Sequence, residues 1–331
     1  MKVPNQPWVE KYRPKTIEDI AHQEEVVHTL RKAIQDKHMP HLLLHGPPGT
    51  GKTSTALAVG RELFGPELFR TRVLELNASD ERGINVVRDK IKSFAATAVG
   101  EHTSAGRDVP RFKLLILDEA DCMTKDAQNA LRRTMEAYSK VTRFCFICNY
   151  VSRIIEPIAS RCMKFRFRPL QLDGLERRIR EICGMEGVEV SDGAMRTLDM
   201  VAGGDMRKAV TTLQSAVRLK GTPVESATLL DVGGVVPTDI VMGLLGRCRE
   251  AGFSGVGEAV EAIMSNGYAT QQVLLQLQRA VVADTALRDV QKAQICETMA
   301  IADKCLADGA DEFLQLMNVS SAMQATITGG N

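Results

Sequence analysis

The stretch His41-Leu42-Leu43-Leu44-His45-Gly46-Pro47-Pro48-Gly49-Thr50-Gly51-Lys52-Thr53 decides the reading of this chain. Its first five residues form a short apolar run, the kind that fills a strand buried on both faces. Gly46 to Thr53 match the pattern G-x-x-x-x-G-K-[ST] at every position. They also stand between a strand and a helical period, where a phosphate-binding loop has to sit. Glycines let backbone N–H groups converge on phosphate oxygens, and the helix that follows adds the partial positive charge of its N-terminus. Lys52 is placed to reach the β- and γ-phosphates of ATP, and the Thr53 hydroxyl to hold Mg²⁺.

Working outward, three more compact apolar runs follow: Val73–Leu76, Leu114–Leu117 and Phe144–Cys148. Helical periods separate them. Val87, Ile91, Phe94, Ala95 and Ala98 share one face, as do Ala127, Ala130, Leu131, Thr134, Met135 and Tyr138. Strands alternating with helices predict an α/β fold with a parallel sheet. Gly100 to Pro110 is small and polar and reads as a loop. After Arg168-Pro169-Leu170 only helical periods remain, and Gly233-Gly234-Val235-Val236-Pro237 marks a second break. The expected layout is an α/β nucleotide-binding domain over 1–168, a small helical domain over 169–234 and an all-α domain over 235–331.

The run Leu114-Leu115-Ile116-Leu117 ends in Asp118-Glu119. Beside a phosphate loop, Asp118 is placed to support Mg²⁺, and Glu119, one residue beyond, to polarise an attacking water. A strand ending in an acidic turn has the same appearance. Asp118-Glu119-Ala120-Asp121 is also the tetrapeptide of a helicase family, but that reading needs a second α/β domain, and the C-terminal half is helical throughout.

Composition narrows the classes further. The chain has 331 residues, with 42 Lys and Arg against 41 Asp and Glu, a formal charge of +1. Nucleic-acid binding therefore requires a local basic patch. No run approaches the ~20 apolar residues of a membrane helix. Met1 to Gln6 has no apolar leader, so no secretory signal is expected. Eight cysteines, from Cys122 to Cys305, are expected as free thiols of a reducing compartment. Cys145 and Cys148 form a C-x₂-C with no second pair at suitable spacing, so zinc is not implied.

Several stretches together resemble the AAA+ ATPases, and among them the small subunits of replication factor C, the sliding-clamp loader. They are Trp8-Val9-Glu10-Lys11-Tyr12-Arg13-Pro14, the phosphate loop, Glu75-Leu76-Asn77-Ala78-Ser79-Asp80-Glu81-Arg82-Gly83 and Leu117-Asp118-Glu119-Ala120-Asp121. Ala130-Leu131-Arg132-Arg133-Thr134-Met135-Glu136, Ser160-Arg161-Cys162 and Gly204-Asp205-Met206-Arg207-Lys208 complete the set. Phe64–Phe69 and Asp303–Gly309 resemble one branch of those subunits. The likeness spans nearly the whole chain.

The resemblance implies roles, residue by residue. Val9 and Arg13 would lie near the adenine; an arm tied down by Trp8 is the plainer reading of the same residues. Asn149, just after Phe144–Cys148, would orient water against the γ-phosphate, and its amide both donates and accepts. A strand-end Asn forming a turn reads the same way. Arg207 would contact the γ-phosphate from the small helical domain. Arg161 would serve a neighbouring subunit's ATP as an arginine finger. It could equally be a strand-edge arginine, since Lys164, Arg166 and Arg168 alternate with Phe165 and Phe167 as in a half-exposed basic strand.

The resemblance also implies that Arg82, Arg88, Lys90 and Lys92 track DNA phosphates without reading bases, although a solvated helix face has the same pattern. The edge beginning Met123-Thr124-Lys125-Asp126-Ala127-Gln128 would face the sliding clamp, PCNA. The implied partners are the other replication factor C subunits, PCNA and primer–template DNA, in a nuclear heteropentamer joined by 235–331. Two other classes fit parts of the pattern. A nucleotide-binding scaffold would assemble without turnover. A self-assembling motor, such as a branch-migration ATPase, would form rings of one chain.

Overall fold

Five parallel strands, β1 (His41–His45), β2 (Val73–Asn77), β3 (Lys113–Asp118), β4 (Thr142–Cys148) and β5 (Cys162–Arg166), form one sheet in the order β2-β3-β4-β1-β5. They belong to a computed structural model that describes residues 6–20, 23–36, 39–78, 84–97, 109–250 and 252–329. The chain divides into two units, Met1–Val224 and Glu225–Asn331.

In the first unit α1 (Trp8–Lys11) and α2 (Glu24–Gln35) precede β1. Helices α3 (Lys52–Arg72), α4 (Ile84–Ala96) and α5 (Lys125–Ala137) follow β1, β2 and β3, and α6 (Glu156–Ala159) lies between β4 and β5. Three helices come after the sheet: α7 (Leu172–Glu186), α8 (Asp192–Ala202) and α9 (Met206–Lys220).

Strand alternation builds a core on each face of the sheet. Leu42, Leu44, Leu114, Ile116, Cys145 and Ile147 pack with Leu30 of α2 and Ala56, Val59 and Leu63 of α3. Their neighbours Leu43, Leu115, Leu117, Phe144 and Phe146 pack instead with Leu131 and Met135 of α5 and Ile158 of α6. Burial on both faces explains why these strands read as unbroken apolar runs. The expected β5 also forms. Only Phe165 of this edge strand is buried, while Lys164 and Arg166 are exposed. Helix α3 is broken where Gly65 takes φ +68° before Pro66.

The second unit contains α10 (Ser226–Gly233), α11 (Thr238–Arg247), α12 (Phe253–Ser265), α13 (Thr270–Ala283), α14 (Asp289–Ala307) and α15 (Glu312–Thr328). One apolar core, including Leu244, Val260, Leu277, Ile295 and Leu316, binds α11 to α15 together. The Glu312 carboxylate accepts the Thr270 N–H at 2.9 Å, so the first turn of α15 satisfies an orphan donor at the start of α13.

At the start of β1 the His41 Nδ1 accepts the Phe144 N–H at 3.1 Å, and the ring stands edge-on to Phe144. Burial, reinforced by the nearby Arg143 cation, lowers its pKa to about 4. A protonated Nδ1 cannot accept that bond. The unfolded imidazole protonates near ~6.5, so this contribution is complete above that pH and declines as pH falls toward about 4. Urea midpoints measured across this window are expected to fall less steeply for His41→Gln than for wild type; parallel profiles would refute the assignment.

Candidate nucleotide-binding site

The phosphate loop leaves the C-terminal end of β1 and enters α3 at Lys52. His45 pairs with Cys148 in register, so the loop starts beside Asn149, the residue that follows β4. Lys52 is only 7% exposed. Its ammonium donates to the carbonyls of Gly46 and Pro47, both at 2.8 Å, and to Asn149 Oδ1 at 3.0 Å. Burial lowers its pKa, opposed chiefly by the carboxylate of Asp118.

Beside it the Thr53 hydroxyl donates to Asp118 Oδ2 at 2.6 Å, while Asp118 Oδ1 accepts the Glu119 N–H at 2.9 Å. Glu119 has φ +53°, the one non-glycine residue in the left-handed region among the described residues. Such a backbone costs ~1 kcal/mol or more and concentrates at functional turns. Here it turns the chain sharply at the strand end, directly after the residue that meets Thr53.

One cavity of about 200 Å³ brings these groups together. Its walls include loop residues Pro48 to Thr53, with Asp118, Glu119, Asn149 and Arg207. Val9 and Arg13 line it from the N-terminal arm. Sequence-expected residues from five separate parts of the chain thus converge on one space. Arg207 sits in the first turn of α9, which Asp205 caps by accepting the N–H groups of Arg207 at 2.8 Å and Lys208 at 3.1 Å.

Arg161 is not in this wall. It lies outside, 43% exposed at the side chain, with Nη2 2.8 Å from Glu136 Oε1 and Nη1 donating to the Pro157 carbonyl at 2.6 Å. Lys90 and Lys92 are exposed on α4. Arg88 belongs to the same helix; Arg82 lies outside the described residues. At the edge beginning Met123, Gln128 turns inward. It is 2% exposed, donates to the carbonyls of Met123 at 3.1 Å and Arg153 at 3.0 Å, and accepts the Ile155 N–H at 2.9 Å. Cys145 and Cys148 belong to opposite faces of β4, so their sulfurs do not converge on one ion. Burial pushes the Cys148 thiol up to about 12.

Two supporting residues escape the sequence reading. Asp121 Oδ2 accepts the N–H groups of Asn149 and Tyr150, each at 3.1 Å, and so fixes the turn that presents Asn149. Asp205 acts at a second junction, where the Met206 N–H donates to the Gly49 carbonyl at 3.2 Å. Only the spacing of Asp205 before a helical run hints at it, as an N-cap.

A parallel sheet with this loop, an acidic strand end and a strand-end asparagine defines a P-loop ATPase of the AAA class. The model of the AAA family, "ATPase family associated with various cellular activities", matches residues 42–170, and that of the replication factor C C-terminal domain matches residues 236–322. Replication factor C subunit 4 of Arabidopsis thaliana is 57% identical over 320 residues, covering 96% of this chain and 94% of the relative. The human subunit 4 is 52% identical, covering 97% and 89%. Subunit 2 of Saccharomyces cerevisiae is 43% identical, covering 95% and 91%. The chain therefore belongs to the replication factor C subunit family, in the branch numbered four in the plant and human and two in the yeast. It is a nucleotide-binding ATPase subunit of the clamp loader and assembles with other subunits of that complex. The solved Thermotoga maritima RuvB Holliday junction branch migration motor shares the fold, with a TM-score of 0.54 at 17% identity over 80% of this chain and 91% of that one.

The Gly49 junction is testable. At φ +69°, a Cβ there would lie 1.7 Å from Asp205 Oδ1. Gly49→Ala is expected to cost ~2 kcal/mol, and Asp205→Ala, which loses its cap, ~1 kcal/mol. In a double-mutant cycle read by urea unfolding, the combined loss is expected to be smaller than the sum, because the clash has gone. Strict additivity would count against the contact.

Proposed function

We propose that the cavity binds ATP with Mg²⁺ and hydrolyses it. Support comes first from the pair Thr53–Asp118, at 2.6 Å, beside Lys52–Asn149, at 3.0 Å. Two oxygen donors side by side suit a hard divalent cation, and an ammonium next to them suits the phosphates. Bound Mg²⁺ would neutralise charge on the phosphate oxygens. The N–H groups of Gly49 to Thr53 cradle the phosphates, and Lys52 transfers its contacts from loop carbonyls to phosphate oxygens. Val9 and Arg13 hold the adenine end.

In hydrolysis Asn149 orients a water in line with the γ-phosphorus, and Glu119 accepts its proton. The new oxygen–phosphorus bond forms as the bond to the β-phosphate oxygen breaks, releasing ADP. Arg207 stabilises the γ-phosphate charge from the lid, 169–234. Arg161, exposed and outside its own cavity, serves the ATP of an adjacent subunit. Its pair with Glu136 would be exchanged for phosphate on assembly.

The same reading extends to the assembly. The helices of 235–331 form the collar of the pentamer. ATP binding opens the sliding clamp PCNA, and primer–template DNA triggers hydrolysis that leaves the clamp closed on DNA in the nucleus. Arg82, Arg88, Lys90 and Lys92 contact DNA phosphates, which predicts strong salt dependence and little sequence preference.

The test is steady-state ATP hydrolysis by this chain assembled with its partners, with and without clamp and primer–template DNA. An arginine finger contributes about 10³-fold or more at the site it serves. Arg161→Ala is therefore expected to remove the stimulated turnover of the neighbouring site while leaving ATP binding by this chain intact; Lys52→Ala should do the reverse. A stimulated rate unchanged in Arg161→Ala would remove the finger from the mechanism.

A further inference from the structure

The arm that walls the cavity is short, and its attachments run one way. The Trp8 N–H donates to Gln214 Oε1 of α9 at 3.1 Å. The Tyr12 hydroxyl donates to Glu186 Oε1, the last residue of α7, at 2.5 Å, and the Lys11 ammonium pairs with the same oxygen. Arg178 Nη2 of α7 donates to the Tyr12 carbonyl at 2.9 Å. Within the arm, Arg13 pairs with Glu10 at 3.4 Å. Arg13 is near enough to Glu75 of β2 to oppose the burial that raises its pKa, but no ion pair joins the two. Among the described residues, every hydrogen bond and ion pair from Trp8–Pro14 to a residue beyond the arm and Pro7 ends on α7 or α9.

The same two helices supply the other side of the cavity through Ile182, Met206, Arg207 and Val210. The arm is thus held by the helices that follow the sheet, although more than a hundred residues of α/β domain separate them in sequence. Glu186 and Gln214 do not line the cavity.

We infer that Trp8–Pro14 is a structural part of the lid, and that Glu186 and Gln214 are positioning residues that set affinity for the base end of a nucleotide by holding this arm. The inference rests on the reading of the cavity as the nucleotide site. It gives the lid two grips on one ligand: Arg207 toward the phosphates, and the arm toward the base. The loop on the α/β core holds the phosphates independently of the arm.

That division predicts a selective effect. ATP and inorganic tripolyphosphate share the phosphate contacts, but only ATP has a base. With the full chain, binding of each is measured by titration calorimetry. Glu186→Ala is expected to weaken ATP about tenfold and to leave tripolyphosphate within about twofold. Glu186→Gln keeps an acceptor for Tyr12 and gives up the charge that pairs with half-exposed Lys11, so it should stay near wild type. Trp8 is the single tryptophan, so its emission reports the arm directly. It is expected to shift in ligand-free Glu186→Ala and not in Glu186→Gln.

Unchanged ATP affinity in Glu186→Ala, or equal losses for both ligands, would overturn the inference. Lys52→Ala separates this from failure of the nucleotide reading. If Lys52→Ala loses both ligands, the cavity stands as the nucleotide site whatever Glu186→Ala does. If it keeps both, the cavity reading falls and the inference with it.

Discussion

The arrangement of the candidate nucleotide site depends on finding partners for one buried ammonium. Lys52 is 7% exposed, and an ammonium removed from water is costly unless its donors are satisfied. Two acceptors are carbonyls of its own loop, which requires the loop to curl back over the helix start. The third is Asn149, which requires β4 beside β1. The sheet order β3-β4-β1 meets that demand and also places the end of β3 next to the end of β4. There Asp121 secures Asn149 and Asp118 meets Thr53. The site is therefore a by-product of strand order: residues about a hundred apart in sequence meet because parallel strands all end on one side.

A second constraint acts at Gly49. Its carbonyl accepts from the first turn of α9, and its missing Cβ makes room for the Asp205 carboxylate. The loop is thus shaped from two directions, by the lysine within and by the helix N-terminus against it. The second unit follows different rules. Its core is made of apolar, mostly aliphatic side chains from α11 to α15, and the starts of α13 and α15 are tied by a carboxylate–amide bond at Thr270.

Much of this could be read from residues alone, and the reason is local. Runs such as Leu114–Leu117 declare a strand buried on both sides, and the Lys-Arg alternation after Cys162 declares one buried on a single side. The phosphate loop needs only eight consecutive residues to be recognised. Asn149 had no such signature; its assignment came from family likeness, and its geometry became visible only with β4 placed against β1. Gln128 and Asp121 were opaque for the same reason. Each satisfies backbone groups more than twenty residues away, and nothing in their neighbours' identities encodes that. The arm's hold on α7 and α9 is more distant still, at 206 residues for Trp8 and Gln214.

Strand β5 has a consequence for the chain outside any assembly. It closes one end of the sheet order, so among the described residues its outer backbone groups have no strand beside them. Open ladders of this kind recruit other strands, and a newly made subunit waiting for partners is exposed to that hazard. Lys164 and Arg166 lie on this edge strand, with Arg168 just beyond, all three exposed. Two copies meeting rim to rim would bring like charges into register at every second residue. The basic row thus disfavours pairing of this edge with its own copy.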